Sequence, residues 1–143
     1  MPVLFELREN GRVAYYRITD PWTTHDLMAH YPADNAHRSS VNHTVHTLMD
    51  FSGMRTVPIN ILLARNNAPA FSHPNNGILI LAGTRPMAKS FAELIFRMAN
   101  FRKGRFLGTV DEGWAFIHTL MAKEDSTQDE QIPPDHSRTG VLL

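Results

Sequence analysis

Five consecutive apolar residues, Ile78-Leu79-Ile80-Leu81-Ala82, lie between Gly77 and Gly83. Side chains of a strand alternate between its two faces, so a strand without alternation must be covered on both. Such a strand belongs inside a parallel sheet, and parallel neighbours must be joined by crossovers long enough to hold a helix. This one stretch therefore predicts a layered α/β domain.

The flanking sequence supplies the other elements. Val3–Arg8 places Val3, Phe5 and Leu7 on one face, and Arg12–Ile18 is rich in Val and Tyr. Between them stands Asn10-Gly11, a pair suited to a turn whose central residues both need φ > 0, so an antiparallel hairpin is expected to open the chain. Asp20-Pro21 ends the second strand. Thr23-Thr24-His25-Asp26 reads as a capping box, starting a helix through Leu27, Met28 and His30 that ends near Tyr31-Pro32. The polar run Ala33–Asn42 reads as a loop. Thr44–Phe51 is a β-prone run closed by Ser52-Gly53.

Pro58 fits the first turn of a helix, with Ile59, Leu62 and Leu63 as its apolar side and Asn66-Asn67-Ala68-Pro69 as its stop. Thr84 is expected to cap the next helix, with Pro86 in the first turn. Met87, Phe91, Leu94, Ile95 and Met98 recur at helical spacing and predict its buried stripe. Arg105–Leu107 reads as a short last strand. Asp111 would then cap a helix whose face carries Trp114, Ile117, Leu120 and Met121. The expected fold is α/β: a mixed sheet of about five strands, opened by an antiparallel hairpin and continued by βα units, with about four helices. The domain is expected to span residues 1–123. The polar stretch 124–143, with Pro133-Pro134 and no periodicity, reads as a disordered acidic tail.

Composition narrows the chemistry. The chain has 143 residues and no cysteine, which removes thiol catalysis, thiolate metal sites and disulfides. Its 14 basic and 14 acidic residues cancel, which argues against general capture of nucleic acid. The start, Met1-Pro2-Val3-Leu4-Phe5-Glu6, lacks the charged and apolar regions of a signal peptide, and no apolar run is long enough to span a bilayer. A soluble, cytoplasmic protein without a transmembrane segment is expected.

Eight histidines are scattered without an HExxH or His-x-His pattern, so no metal site is expected. No Gly-x-Ser-x-Gly elbow and no glycine-rich phosphate loop occurs. Asp50 could act as a general base at a strand end, but its plainer role is to accept backbone N–H groups in the turn through Ser52-Gly53. Charge is unevenly spread. Arg85, Lys89, Arg97, Arg102, Lys103 and Arg105 face only Glu93 in their stretch, whereas Glu124, Asp125, Asp129, Glu130 and Asp135 face only Arg138. Arg97, Arg102, Lys103 and Arg105, interleaved with Phe91, Phe96, Phe101 and Phe106, form a candidate surface for an anionic partner. The plainer alternative is a buried aromatic face with solvated charges.

Leu48-Met49-Asp50-Phe51-Ser52-Gly53-Met54, followed by a helix start near Pro58, resembles the signature of STAS domains, the sulfate-transporter and anti-sigma-factor-antagonist family (the SpoIIAA-like fold). The resemblance covers roughly residues 3 to 122. It implies a non-enzymatic module that works by protein–protein contact or self-association. Its switch region would comprise Asp50, Ser52, Gly53, Arg55, Pro58, Ile59 and Asn60. In regulatory members a serine at that helix start is phosphorylated, and a helix N-terminus can host the added dianion. Asn60 stands at that position here, so the switch is missing its acceptor. The apolar Ile59, Ile61, Leu62 and Leu63 are more similar to a divergent branch that also resembles the lipid-binding CRAL-TRIO domains. That branch implies, as the alternative, a small apolar ligand held between sheet and helices by residues such as Trp22, Phe51 and Phe91. No cofactor and no catalytic residue is implied by either reading.

Overall fold

The computed structural model describes residues 1–131, with side chains through residue 127. By packing, the chain divides into two units, Met1–Gly113 and a second beginning at Trp114. The first unit contains a five-stranded sheet in the order β1-β2-β3-β4-β5. Its strands are β1 (Val3–Arg8), β2 (Val13–Thr19), β3 (Val45–Gly53), β4 (Asn76–Ala82) and β5 (Gly104–Leu107). β1 and β2 are antiparallel, and every later pairing is parallel. The protein is thus an α/β protein with a mixed sheet, as the uninterrupted apolar run required. In β4, Leu79, Ile80, Leu81 and Ala82 are all buried.

The hairpin turn lies one residue earlier than the Asn-Gly pair suggests. Glu9 and Asn10 are the left-handed central residues, Gly11 follows with positive φ, and the Gly11 amide donates to Arg8 O at 3.1 Å. Two short helices, α1 (Thr24–Met28) and α2 (Tyr31–Ser40), connect β2 to β3. Thr23 and Asp26 form the expected capping box, with both reciprocal bonds present. The stretch read as a loop, Ala33–Asn42, is mostly helix α2. Pro32 sits in the first turn of α2, where the missing N–H is harmless, rather than ending the helix before it.

Between β3 and β4 the expected helix from Pro58 is a 3-10 helix, Ile61–Arg65, followed by the single turn α3 (Pro69–Ser72). Ile59 is fully exposed and Leu63 half-exposed, so the apolar residues of this segment do not form one buried side. α4 (Pro86–Met98) joins β4 to β5, and its N-cap is Arg85, not Thr84. Its buried stripe is also rotated from expectation. Ala88, Ala92, Ile95 and Phe96 pack inward, while Met87, Phe91, Leu94 and Met98 are exposed. Hydrophobic spacing marks a helix but cannot tell which of two adjacent apolar stripes faces the sheet.

The last helix, α5 (Val110–Gln131), begins with Thr109 as its cap: the Glu112 amide donates to Thr109 Oγ1, and the Thr109 amide donates to Glu112 Oε1. Asp111, expected as the cap, lies inside the first turn. The helix runs past Lys123 to Gln131, through the first part of the stretch read as a tail; residues 132–143 of that stretch lie outside the described residues. Within the second unit, the Trp114 and His118 rings stack, with centroids 5.8 Å apart. Among the described residues no helix is long and apolar enough to cross a membrane.

A strand order that never reverses has a geometric consequence. Right-handed crossovers that always step the same way deposit their helices on one face of the sheet. Residues from α1, α2, the 3-10 helix and α4 accordingly share one core with Ala14, Tyr16 and Ile18 of β2, Phe51 of β3, and Leu79 and Leu81 of β4.

Candidate functional site

Thr47, Met49 and Phe51 alternate along β3 and point to the helical side, as do Leu79 and Leu81 of β4. The helical layer meets them with small side chains: Ala64, Ala68, Ala88 and Ala92. Bulky residues on the sheet and alanines on the helices leave a cavity of ≈ 110 Å³, partly open to solvent. Interiors usually close such space. Trp22, Phe51 and Phe91 all line it. Phe91 is 39% exposed and Arg65 is exposed, which places both at the mouth.

One end of the cavity is polar and fully wired. Asp34 and Arg38, one turn apart on α2, are 1% and 0% exposed. Arg38 Nε donates to Asp34 Oδ1 at 2.8 Å. Its Nη2 donates to Thr47 Oγ1 at 2.7 Å, and its Nη1 to Asn76 Oδ1 at 2.7 Å and Val45 O at 3.3 Å. Tyr16 donates its hydroxyl to Asp34 Oδ2 at 2.6 Å. A buried ion pair repays its desolvation only when its remaining donors and acceptors are also satisfied, and these are. The pair fastens α2 to both β3 and β4.

Two tyrosines complete this end. Burial pushes the Tyr16 phenol far above its usual range, and the neighbouring Asp34 charge adds to the effect. Burial, then Asp34, raises Tyr31 as well. Both remain hydroxyl donors, and Tyr31 gives its proton to Ala64 O at 2.7 Å, pinning the 3-10 helix. Trp22 Nε1 likewise donates to Thr56 O at 2.9 Å. The cavity walls are therefore mostly apolar in effect, because the tyrosine, tryptophan and Arg38 donors are already engaged and, apart from Arg65 at the mouth, only the Thr47 and Thr84 hydroxyls add polar atoms among the described residues. Such a space holds apolar groups by shape.

The residues marked from the sequence as a switch region do not line this cavity. Asp50 points to the opposite sheet face from Met49 and Phe51. Its Oδ1 accepts from the Ser52 amide at 2.9 Å and the Ser52 hydroxyl at 2.6 Å, which is the turn-closing role. Tyr15 approaches its other oxygen at 3.5 Å. Gly53 ends β3. Arg55 gives its backbone amide to Asp20 Oδ2 at 2.8 Å and leaves its side chain exposed. Pro58 is half-buried. Asn60 Oδ1 accepts from Thr24 Oγ1 at 2.9 Å, tying the 3-10 helix to α1. No direct hydrogen bond among the described residues joins Asp50 or Ser52 to Arg55 or Asn60; Asp20 links Gly53 and Arg55, its amide donating to Gly53 O at 3.2 Å and its carboxylate accepting from the Arg55 amide.

Arg97, Arg102, Lys103 and Arg105 are all exposed. Lys103 Nζ donates to Asn76 O, and Arg105 Nη1 donates to Gly104 O. The interleaved aromatics are structural: Phe71, Phe96 and Phe101 form a cluster with centroids 4.9–5.9 Å apart, and Phe106 joins through Phe96 at 5.8 Å. No group of three or more His, Asp or Glu side chains that could hold a metal ion occurs among the described residues.

Sequence reasoning missed Asp34, Arg38, Tyr31 and the alanines. A signal existed for the first two. An acid four residues before a base, just after Pro32, is a helix pattern. In comparisons with known proteins, no family model, curated protein or solved structure matches this chain significantly.

Proposed function

We propose that this domain binds a small apolar ligand, or the apolar part of a larger one, in the cavity between sheet and helices. The observation that carries the reading is a ≈ 110 Å³ space lined by Trp22, Phe51 and Phe91, whose wall tyrosines and tryptophan already donate within the protein. An engineered apolar cavity of ~150 Å³ holds benzene, so this one suits a short alkyl chain or a small ring. The proposed role is non-enzymatic: Asp34 and Asp50, the buried carboxylates, are held in an internal ion pair and in a turn.

Native mass spectrometry of the purified full chain tests this reading. A bound apolar molecule, lost on mild activation, is the expected result. A chain that carries no ligand and gains none when offered apolar probes would overturn it.

A second reading is a STAS-like interaction module acting on a protein partner or on itself. It is favoured by the exposed apolar residues Ile59 and Leu63 near Pro58 and by Met87, Leu94 and Met98 on α4. Sedimentation at high concentration, with and without Ile59→Ser, tests it; an unchanged monomer and no captured partner would count against it.

A further inference from the structure

We infer that the cavity's ligand is a single-tailed amphiphile with an anionic head, a carboxylate, and that Arg65 at the mouth holds it; this rests on the ligand-binding reading above. Among the described residues, only Asp34 and Arg65 are charged side chains that line the cavity. Asp34 accepts from Arg38 and Tyr16 and has nothing to offer an incoming cation. Arg65 differs. It closes the 3-10 helix, its Nη1 donates to Leu62 O at 2.9 Å, and among the described residues it meets no carboxylate. A guanidinium carries five N–H donors in a planar fork that matches a carboxylate. Most of that fork is therefore uncommitted.

Position supports the assignment. Ala64, the preceding residue, lines the cavity and has its carbonyl fixed by Tyr31. The backbone under Arg65 is thus held while its stem can follow the apolar rim and its head stays in water. Inside, no cationic group is free to meet an anionic head among the described residues. The tyrosine and tryptophan donors are spent, and what remains among the described residues is the neutral hydroxyls of Thr47 and Thr84, which carry no charge to set against a carboxylate. A ligand polar at one end would place its tail inward and its head beside Arg65. The enclosed volume limits the tail to one short chain.

Calorimetric titration of the full chain with octanoate, 1-octanol and octylamine, which share one tail, tests the inference. Arg65 is exposed, so its attraction is screened, and the expected preference for octanoate over octanol is about three- to fivefold at low salt. Octylamine should bind most weakly. Arg65→Gln should bring octanoate down to the level of octanol in the same variant, whereas Arg65→Lys should keep part of the preference. Added salt should weaken octanoate alone. Equal binding of octanoate and octanol, or a preference that survives Arg65→Gln, would overturn the head-group assignment while leaving the apolar site standing. Failure of all three tails to bind would overturn the ligand-binding reading itself.

Discussion

Filling the cavity from α4 should stabilise the fold and, on the proposed reading, remove apolar-ligand binding in the same step. Ala92→Leu is the suitable change, because Ala92 lines the cavity and leucine is a good helix former. Unfilled volume in a core destabilises by ~24 cal/mol per Å³, so ≈ 110 Å³ corresponds to about 2.6 kcal/mol. Independently, three added carbons at ~0.8 kcal/mol per buried CH₂ correspond to about 2.4 kcal/mol. Both are upper limits. Leucine cannot reach every corner of the space and loses roughly 0.5–1 kcal/mol of rotamer freedom on burial. A net gain of about 1–2 kcal/mol is expected, raising Tm by roughly 3–8 °C for a chain of this length. Scanning calorimetry reads the gain, and titration with a solvatochromic apolar dye reads the loss of binding. A fall in Tm of similar size would mean that the site is already closed to three more carbons. A rise in Tm with dye binding intact would mean that apolar ligands bind elsewhere. Stability gained where binding is lost is the trade expected of a functional void.

Arg38→Met should cost about 3–5 kcal/mol in urea unfolding, because it leaves the Asp34 charge buried without its ionic partner. Adding Asp34→Asn to it should restore part of that loss, and equal costs for the single and double variants would show that the stranded charge is not the reason. All three tyrosines are raised by burial, so the folded state holds its phenol protons more tightly than the unfolded state does. Their contribution is complete below pH about 10 and is lost as pH rises past it, so the tyrosinate absorbance of Tyr16 and Tyr31, the most strongly raised, should appear only together with unfolding; titration of more than one phenol near pH 10 in a folded chain would contradict this. Gly77→Ala should destabilise by about 1–3 kcal/mol, because a Cβ there would collide with the His46 ring that accepts from the Ile78 amide. An unchanged Tm would show that the ring can move aside.

The sheet was legible because its signals are local and steric. A run with no polar face, a pair of turn residues and a capping box each admit few backbone solutions, and β4, the opening hairpin and the Thr23 cap follow them. The candidate site was only half legible. Trp22, Phe51 and Phe91 could be named because large aromatics between layers must pack somewhere. The void between them could not, since it depends on which alanines oppose which strand residues. α4 shows why. Its sequence carries two apolar stripes side by side, and the smaller-residue stripe faces the sheet, which allows close approach and leaves the methionines outside. α2 failed for the opposite reason. Its inward face carries Asp34 and Arg38, and polarity alone reads as solvent exposure until partners on β3 and β4 are known.

The two helices therefore hold the cavity in different ways. α2 is fastened to β3 and β4 by directional, charge-assisted bonds from one guanidinium, and moving it would strand several buried polar groups at once. α4 lines the cavity through Ala88, Phe91, Ala92, Ile95 and Phe96, whose apolar contacts have no preferred direction and survive small shifts. A wall held by directional bonds opposite one held by apolar contact would suit the proposed binding of tails of somewhat different shape. It also explains the division of polar residues. The charges that fix α2 are all consumed within the protein, which keeps the interior apolar, and the guanidinium with donors to spare, Arg65, sits where water still reaches it.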